Sequence, residues 1–152
     1  MANTGTADLW AVLYGEAPAD RTWNRQQQKN AIARALEDLL NTRLAIPDTL
    51  LSRHPVLQNS ILSYGLQDFS ALCIASEPDR HAICAAVQQT IQRHEPRLTK
   101  LQVELHAETS SINRLGFILQ AQLRDTPDTT LVKFGGVLEP AAQHYTVSLV
   151  GG

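Results

Sequence analysis

Glu95, Pro96 and Arg97 set an acid and a base on either side of a proline. Two chemistries are open to such a trio. A guanidinium can grip a carboxylate or main-chain carbonyls of a partner through a bidentate fork that lysine cannot reproduce. Alternatively, Glu95 with Glu104 or Glu108 could serve glycoside hydrolysis, which needs one carboxyl held protonated and one ionised. The second chemistry is poorly supplied. Arg97 beside Glu95 favours the charged carboxylate, the wrong form for a general acid. Glu104 and Glu108 alternate with apolar residues and so fall on the solvent side of a strand. A plain helix stop with solvated charges would also bring these residue types together.

The other reactive side chains form no constellation. His54, His81, His94, His106 and His144 make no HxxxH or HExxH pair and never join cysteine at metal-ligand spacing, so neither metal nor cofactor is expected. Gly135-Gly136 lacks the following helix and lysine of a phosphate loop, and predicts a strand bulge instead. No GxSxG is present. Cys73 and Cys84 lie eleven apart without a CxxC, which fits free buried thiols in a reducing cytoplasm.

The elements that must position these residues change type at His94-Glu95-Pro96-Arg97-Leu98. Before it apolar residues recur every three or four positions; after it they alternate one by one. Proline breaks helical hydrogen bonding and pushes Glu95 towards extended geometry. Upstream, Ile32, Leu36, Leu39 and Leu40 form one stripe of a helix at about 24–42, flanked by Gln26, Gln27, Lys29, Arg34 and Glu37. Residues 44–76 carry Pro47, Pro55 and Gly65 among apolar Leu50, Leu51, Val56, Leu57, Ile61 and Leu62. That pattern predicts short helical turns packed over a core. Ser76-Glu77-Pro78-Asp79 is a helix start, with Ser76 as cap and Asp79 at the capping-box position. Ile83, Val87 and Ile91 follow as its buried stripe.

Downstream, Leu101, Val103, Leu105 and Ala107 form a half-buried strand, and Leu115, Phe117, Leu119, Ala121 and Leu123 a second. Opposing Glu108 to Arg114 puts the apolar residues of both on one face. A third strand is expected at about 131–138 and a fourth at about 143–150, carrying Tyr145, Val147 and Leu149. Helices first and strands afterwards give an α+β fold, with N-terminal helices packed on one face of a mostly antiparallel C-terminal sheet. A chain of 152 residues, 43% hydrophobic and 18% charged, can bury its own core. A net charge of −2 argues against nucleic acid as partner, and no segment approaches the ~20 apolar residues of a membrane helix.

Four stretches, in order and spacing, resemble a known family. They are Leu36-Glu37-Asp38-Leu39-Leu40-Asn41-Thr42-Arg43, Ser60-Ile61-Leu62-Ser63-Tyr64-Gly65-Leu66-Gln67-Asp68-Phe69, Glu95-Pro96-Arg97-Leu98, and Leu115-Gly116-Phe117-Ile118-Leu119-Gln120-Ala121-Gln122-Leu123. The resemblance, over about residues 7–150, is to the TssE family of type VI secretion baseplate wedge subunits, itself similar to a wedge protein of contractile phage baseplates. It implies a structural, non-enzymatic protein of the cytoplasm, without direct membrane insertion. The implied partners are the larger wedge proteins TssF and TssG, with TssK a further candidate, and the sheath proteins TssB and TssC, whose first ring it helps to start. The family's Glu-Pro-Arg element falls on Glu95, Pro96 and Arg97 and is implicated in wedge and sheath-platform contacts. A lysozyme-like glycan hydrolase and a small-ligand binding module are the competing readings.

Two further contact regions are expected. Leu9, Trp10 and Leu13 make one apolar stripe on a helix too short to be stable alone, so residues 1–20 read as a short helix and linker ahead of a 21–152 domain. The family usually carries charges between these leucines, where this chain has Ala11 and Val12. The fourth strand, with Tyr145, Val147 and Leu149, contains no lysine or proline to blunt an exposed edge and so could accept an added strand.

Overall fold

A computed structural model of the protein describes residues 5–6, 13–15, 22–73, 75–107, 115–124, 131–139 and 144–150. Two-residue strands β1 (Gly5–Thr6) and β2 (Thr22–Trp23) pair antiparallel. Helix α1 spans Arg25–Asn41, close to the expected 24–42, and follows β2 directly. Its start is fixed by a complete capping box: Asn24 accepts from the Gln27 amide at 2.8 Å, and Gln27 accepts from the Asn24 amide at 2.9 Å. The stripe Ile32, Leu36, Leu39 and Leu40 is buried. Each such side chain contributes roughly 1.5–3 kcal/mol on burial, whereas an isolated helix of this length is marginal in water. Packing, more than propensity, holds α1.

Between Leu44 and Ser76 the chain does form short helical pieces, α2 (Asp48–Leu51) and 3₁₀ turns at Pro55–Asn59 and Ile61–Ser63. The expected packing is only partly realised. Leu51 and Leu66 are buried, but Val56 is 89% exposed, Ile61 80%, and Leu50 and Leu62 are exposed too. A three-residue period eclipses side chains at i and i+3, so short 3₁₀ turns carry little continuous apolar face inward.

Helix α3 (Glu77–His94) starts where Ser76 accepts from the Asp79 amide, and buries Ile83, Val87 and Ile91. Asp79 does not close the capping box. Its carboxylate takes the Cys73 amide at 2.8 Å, tying the preceding turn to the helix start. Both cysteines are free; Cys73 is exposed, not buried, and Cys84 is half-buried. Burial pushes the Cys84 thiol pKa up, with the Leu105 amide opposing and Glu104 reinforcing the shift.

Strands β3 (Leu98–Ala107), β4 (Leu115–Leu123), β5 (Leu131–Glu139) and β6 (His144–Leu149) form one antiparallel sheet in sequence order. One face carries Leu101, Phe117, Leu119, Ala121, Leu123, Val132, Phe134, Tyr145 and Val147 into a core shared with α1 and α3. The other presents Gln102, Glu104, His106, Lys133, Thr146 and Ser148 to solvent. Ala107 lies opposite Leu115, the register that facing Glu108 to Arg114 predicts, though those two residues lie outside the described set.

The register shifts once, between Thr99 and Gln102, where Lys100 takes a positive φ of 49°. Leu98 and Leu101 have opposite parity, so without an extra residue one would face solvent; the bulge buries both. The bulge expected at Gly135-Gly136 is absent, because β5 pairs continuously on both sides. Those glycines answer to space. A Cβ on Gly136 would meet the Phe117 ring and the Thr146 carbonyl, and one on Gly135 would lie 2.6 Å from a Val150 methyl. Gly136→Ala is therefore expected to destabilise the domain by about 1–3 kcal/mol through overpacking. Adding Phe117→Leu should restore part of the loss. Urea unfolding midpoints check this; a Gly136→Ala midpoint equal to wild type would mean that both the ring and the Thr146 main chain give way.

Candidate functional site

Three of the four recognised stretches meet at one corner. α1 ends at Asn41, and Gly65 carries the middle segment across that end. There the Leu66 amide donates to the Thr42 carbonyl at 2.8 Å and the Leu44 amide to the Leu66 carbonyl at 2.9 Å. Gly65 has φ +112°, and a Cβ there would lie 2.5 Å from the Thr42 carbonyl oxygen, so only glycine fits. Beside it Ser63 is buried and bonded to the end of α3. His94 Nε2 sits 2.9 Å from the Ser63 carbonyl and 3.2 Å from its hydroxyl. A carbonyl only accepts, so Nε2 carries the proton. The Tyr64 ring meets His94 edge-on at 5.3 Å. Burial, then the charge of Asp38, then that of Glu95 raise the Tyr64 phenol pKa.

The helix-to-strand turn follows at once. Glu95 caps α3, its amide donating to the Ile91 carbonyl at 2.8 Å, and is only 5% exposed. Arg97 donates through Nε to Glu95 Oε1 and through Nη2 to Oε2, both at 2.6 Å, and its amide also reaches Oε1 at 3.3 Å. The charges are thus not simply solvated: the acid is buried inside a fork–fork pair, and the base is about a third exposed. Arg97 in turn accepts the Arg124 amide on its carbonyl at 2.8 Å, fastening the corner to the end of β4. Pro96 stands exposed at the apex.

This arrangement suits a rigid projecting corner more than hydrolysis. Both oxygens of Glu95 are engaged, and Glu104 lies on the exposed face within 3.8 Å of His106. Among the described residues no group of three or more His, Cys, Asp or Glu could hold a metal ion.

The other expected contact residues are placed differently. Leu9 and Trp10 lie outside the described residues; Leu13 is exposed. The side chains of Tyr145 and Val147 are buried, and that of Leu149 half-buried, so β6 could meet a partner mainly through its main chain. Burial pushes the Tyr145 phenol up to about 12, with Arg43 opposing. β6 is a sheet edge, but a guarded one. Asn41 accepts the Tyr145 amide and donates to the Tyr145 carbonyl, each at 2.9 Å, while Glu37 accepts the Val147 amide at 2.9 Å. The opposite edge has a similar cover, with Gln88 donating to the Leu101 carbonyl at 3.1 Å. Sequence reasoning missed the guards. Their signal was available: Glu37 and Asn41 each sit one step round the helix from a buried leucine, Leu36 and Leu40.

Two outcomes follow from the corner. Arg97→Ala strands a buried carboxylate, whereas Glu95→Ala leaves an arginine that can turn to water. Arg97→Ala should cost about 2–4 kcal/mol, below the loss for a fully buried pair, and Glu95→Ala less. Chemical denaturation of both and of the double variant reads this directly, and the reverse order would mean the buried charge is not what the corner is built around. Burial lowers the His94 pKa, with the Ser63 carbonyl opposing and Arg93 adding to the lowering. The unfolded chain then binds more protons than the folded one, so stability falls as pH drops below 6.5, the ordinary histidine value. Between pH of about 7.5 and 5, His94→Gln, which keeps a donor for Ser63, should lose less melting temperature than wild type. Equal losses would remove His94 as the titrating group.

Among curated proteins none matches the chain. The family model described as baseplate wedge protein gp25 matches residues 26–128, from the start of α1 through the corner and the first two strands of the main sheet. The match takes in the helix, the middle turns, the Glu95–Arg97 corner and strands β3 and β4, more than half of the chain, and the chain belongs to the baseplate wedge protein gp25 family.

Proposed function

We propose that the chain is a TssE-type wedge subunit of a type VI secretion baseplate. In this reading it acts without turnover, in the cytoplasm, joining the larger wedge proteins TssF and TssG, with TssK as a further contact. It also supplies the sheet on which the first ring of TssB and TssC sheath begins. The observation that carries the reading is the family match over residues 26–128. It is supported by the way Leu36–Arg43, Ser60–Phe69 and Glu95–Leu98 converge on one rigid corner with Pro96 at its apex. Glu95, Pro96 and Arg97 would then serve as one docking element, the exposed Pro96 and the partly exposed Arg97 meeting a wedge protein while buried Glu95 holds them in place, with Leu9, Trp10 and Leu13 as a second anchor. Among the described residues no helix is long and apolar enough to cross a membrane.

The test is reconstitution. Wild-type chain should copurify with TssF and TssG, and cells lacking it should start no sheaths until it is restored. Deleting residues 1–15 should weaken the copurification while leaving the circular dichroism of the remainder unchanged. A chain that joins no wedge proteins, or whose loss leaves sheath initiation normal, would rule the assignment out; release of muropeptides from peptidoglycan, abolished by Glu95→Gln, would favour the hydrolase reading.

A further inference from the structure

The 3₁₀ turn at Pro55–Asn59 differs from the other helical elements, because it buries none of its residues. The next turn, Ile61–Ser63, buries only a serine. Apolar packing therefore does not hold these turns in place; hydrogen bonds do. The Leu57 amide donates to the His54 carbonyl at 2.9 Å, and the Ser60 and Ser63 amides donate to the Leu57 and Ser60 carbonyls, each at 3.1 Å. The buried Ser63 hydroxyl donates to the Gln58 carbonyl at 2.6 Å, and His94 fastens Ser63 to the end of α3. Leu51 and Leu66 pin the stretch to the core on either side. The side chains left on its outer surface are apolar. Val56 and Ile61 stand almost wholly in solvent, and Leu50 and Leu62 are nearly half exposed. A lone apolar residue on a surface is ordinary, but these four fall within residues 50–62, on turns that touch one another in succession. A rigid polar frame that displays apolar side chains is a contact surface prepared in advance.

We propose that Leu50, Val56, Ile61 and Leu62 receive one amphipathic helix of a partner chain, whose apolar stripe lies on them and whose flanking acid meets Arg53. That the partner is one of the larger wedge proteins rests on the baseplate reading above. An added strand does not suit this surface. The amides of Arg53, His54, Leu57, Ser60, Ser63 and Tyr64 are spent on carbonyls within the turns, so no row of main-chain groups is open to pair. Side chains must carry the recognition, and a helix offers apolar ones three and four residues apart along one face. The charge follows from Arg53. It is exposed, and no acid among the described side chains pairs with it. A glutamate or aspartate beside the partner's stripe complements it at the edge of the contact.

Purified TssF–TssG complex serves as the probe, with full-length chains throughout. Val56→Ser and Ile61→Ser should each weaken binding about tenfold, the scale of one apolar side chain withdrawn from a contact. Their melting temperatures should match wild type, since neither side chain packs inward. Leu131→Ser removes an exposed leucine from β5 and, as the control, should bind as wild type does. Arg53→Ala should bind more weakly at low salt and flatten the fall of affinity with added salt. Hydrogen exchange on the probe should show new protection on a helix that carries an acid beside its apolar stripe. Wild-type affinity in both serine variants overturns the proposal while the baseplate reading stands. Equal weakening by Leu131→Ser overturns it as well, because the association is then not specific to this surface. Wild-type behaviour of Arg53→Ala, or protection confined to a strand or loop of the probe, overturns the partner's stated chemistry. A wild-type chain that binds no TssF–TssG ends the baseplate reading and this proposal with it.

Discussion

Taking a carboxylate out of water costs several kcal/mol unless its lone pairs are filled, and Glu95 is the one buried charged side chain among the described residues. Its position is dictated by two demands on three residues. α3 must stop, which Pro96 ensures, and β3 must begin with Leu98 buried. Arg97 reconciles them, binding the acid with its side chain while its carbonyl receives the end of β4. Such a pair is a weak source of net stability, because the desolvation it requires cancels much of its attraction. What it supplies is geometry. A bidentate fork fixes angles as well as distance, so the exposed Pro96 apex is held in one orientation relative to both layers.

The corner also explains why the middle segment, despite its modest secondary structure, is well placed. Ser63, Tyr64 and Gly65 touch His94 on one side and the end of α1 on the other. They bridge two helices that otherwise share few contacts. Leu51 and Leu66 secure the segment to the core, and its outer leucines, valine and isoleucine stay in solvent.

Much of this was legible in the residues. The stripes of α1 and α3, the cap at Ser76, the hairpin register and the switch at Pro96 all follow from spacing, because a 3.6-residue or two-residue period over many positions has few alternatives. Single-residue geometry was not. The bulge at Lys100 serves the conflicting parity of Leu98 and Leu101, visible only once both are known to be buried. Gly135-Gly136 carries the same composition as a bulge, yet exists to clear space for Phe117 and Val150. The polar guards on β6 leave only a faint signal, because Glu37 and Asn41, though each borders a buried leucine, otherwise look like any solvated helix flank. Their meaning depends on contacts 110 and 104 residues away in sequence.

Those long separations bear on how the chain is made. The four strands of the sheet are joined in sequence order, so each can pair with its predecessor as it leaves the ribosome. α1 cannot follow suit: it emerges early, but β6, which it clamps, is the last of the described strands to be synthesised. During translation the part of its apolar stripe that β6 covers stays open until the end, since nascent chains lengthen by only ~5–20 residues per second. Completion of the domain is then a single late event, the closure of helix on strand, and any nascent chain arrested before Tyr145 carries an exposed leucine face that quality-control proteases can recognise.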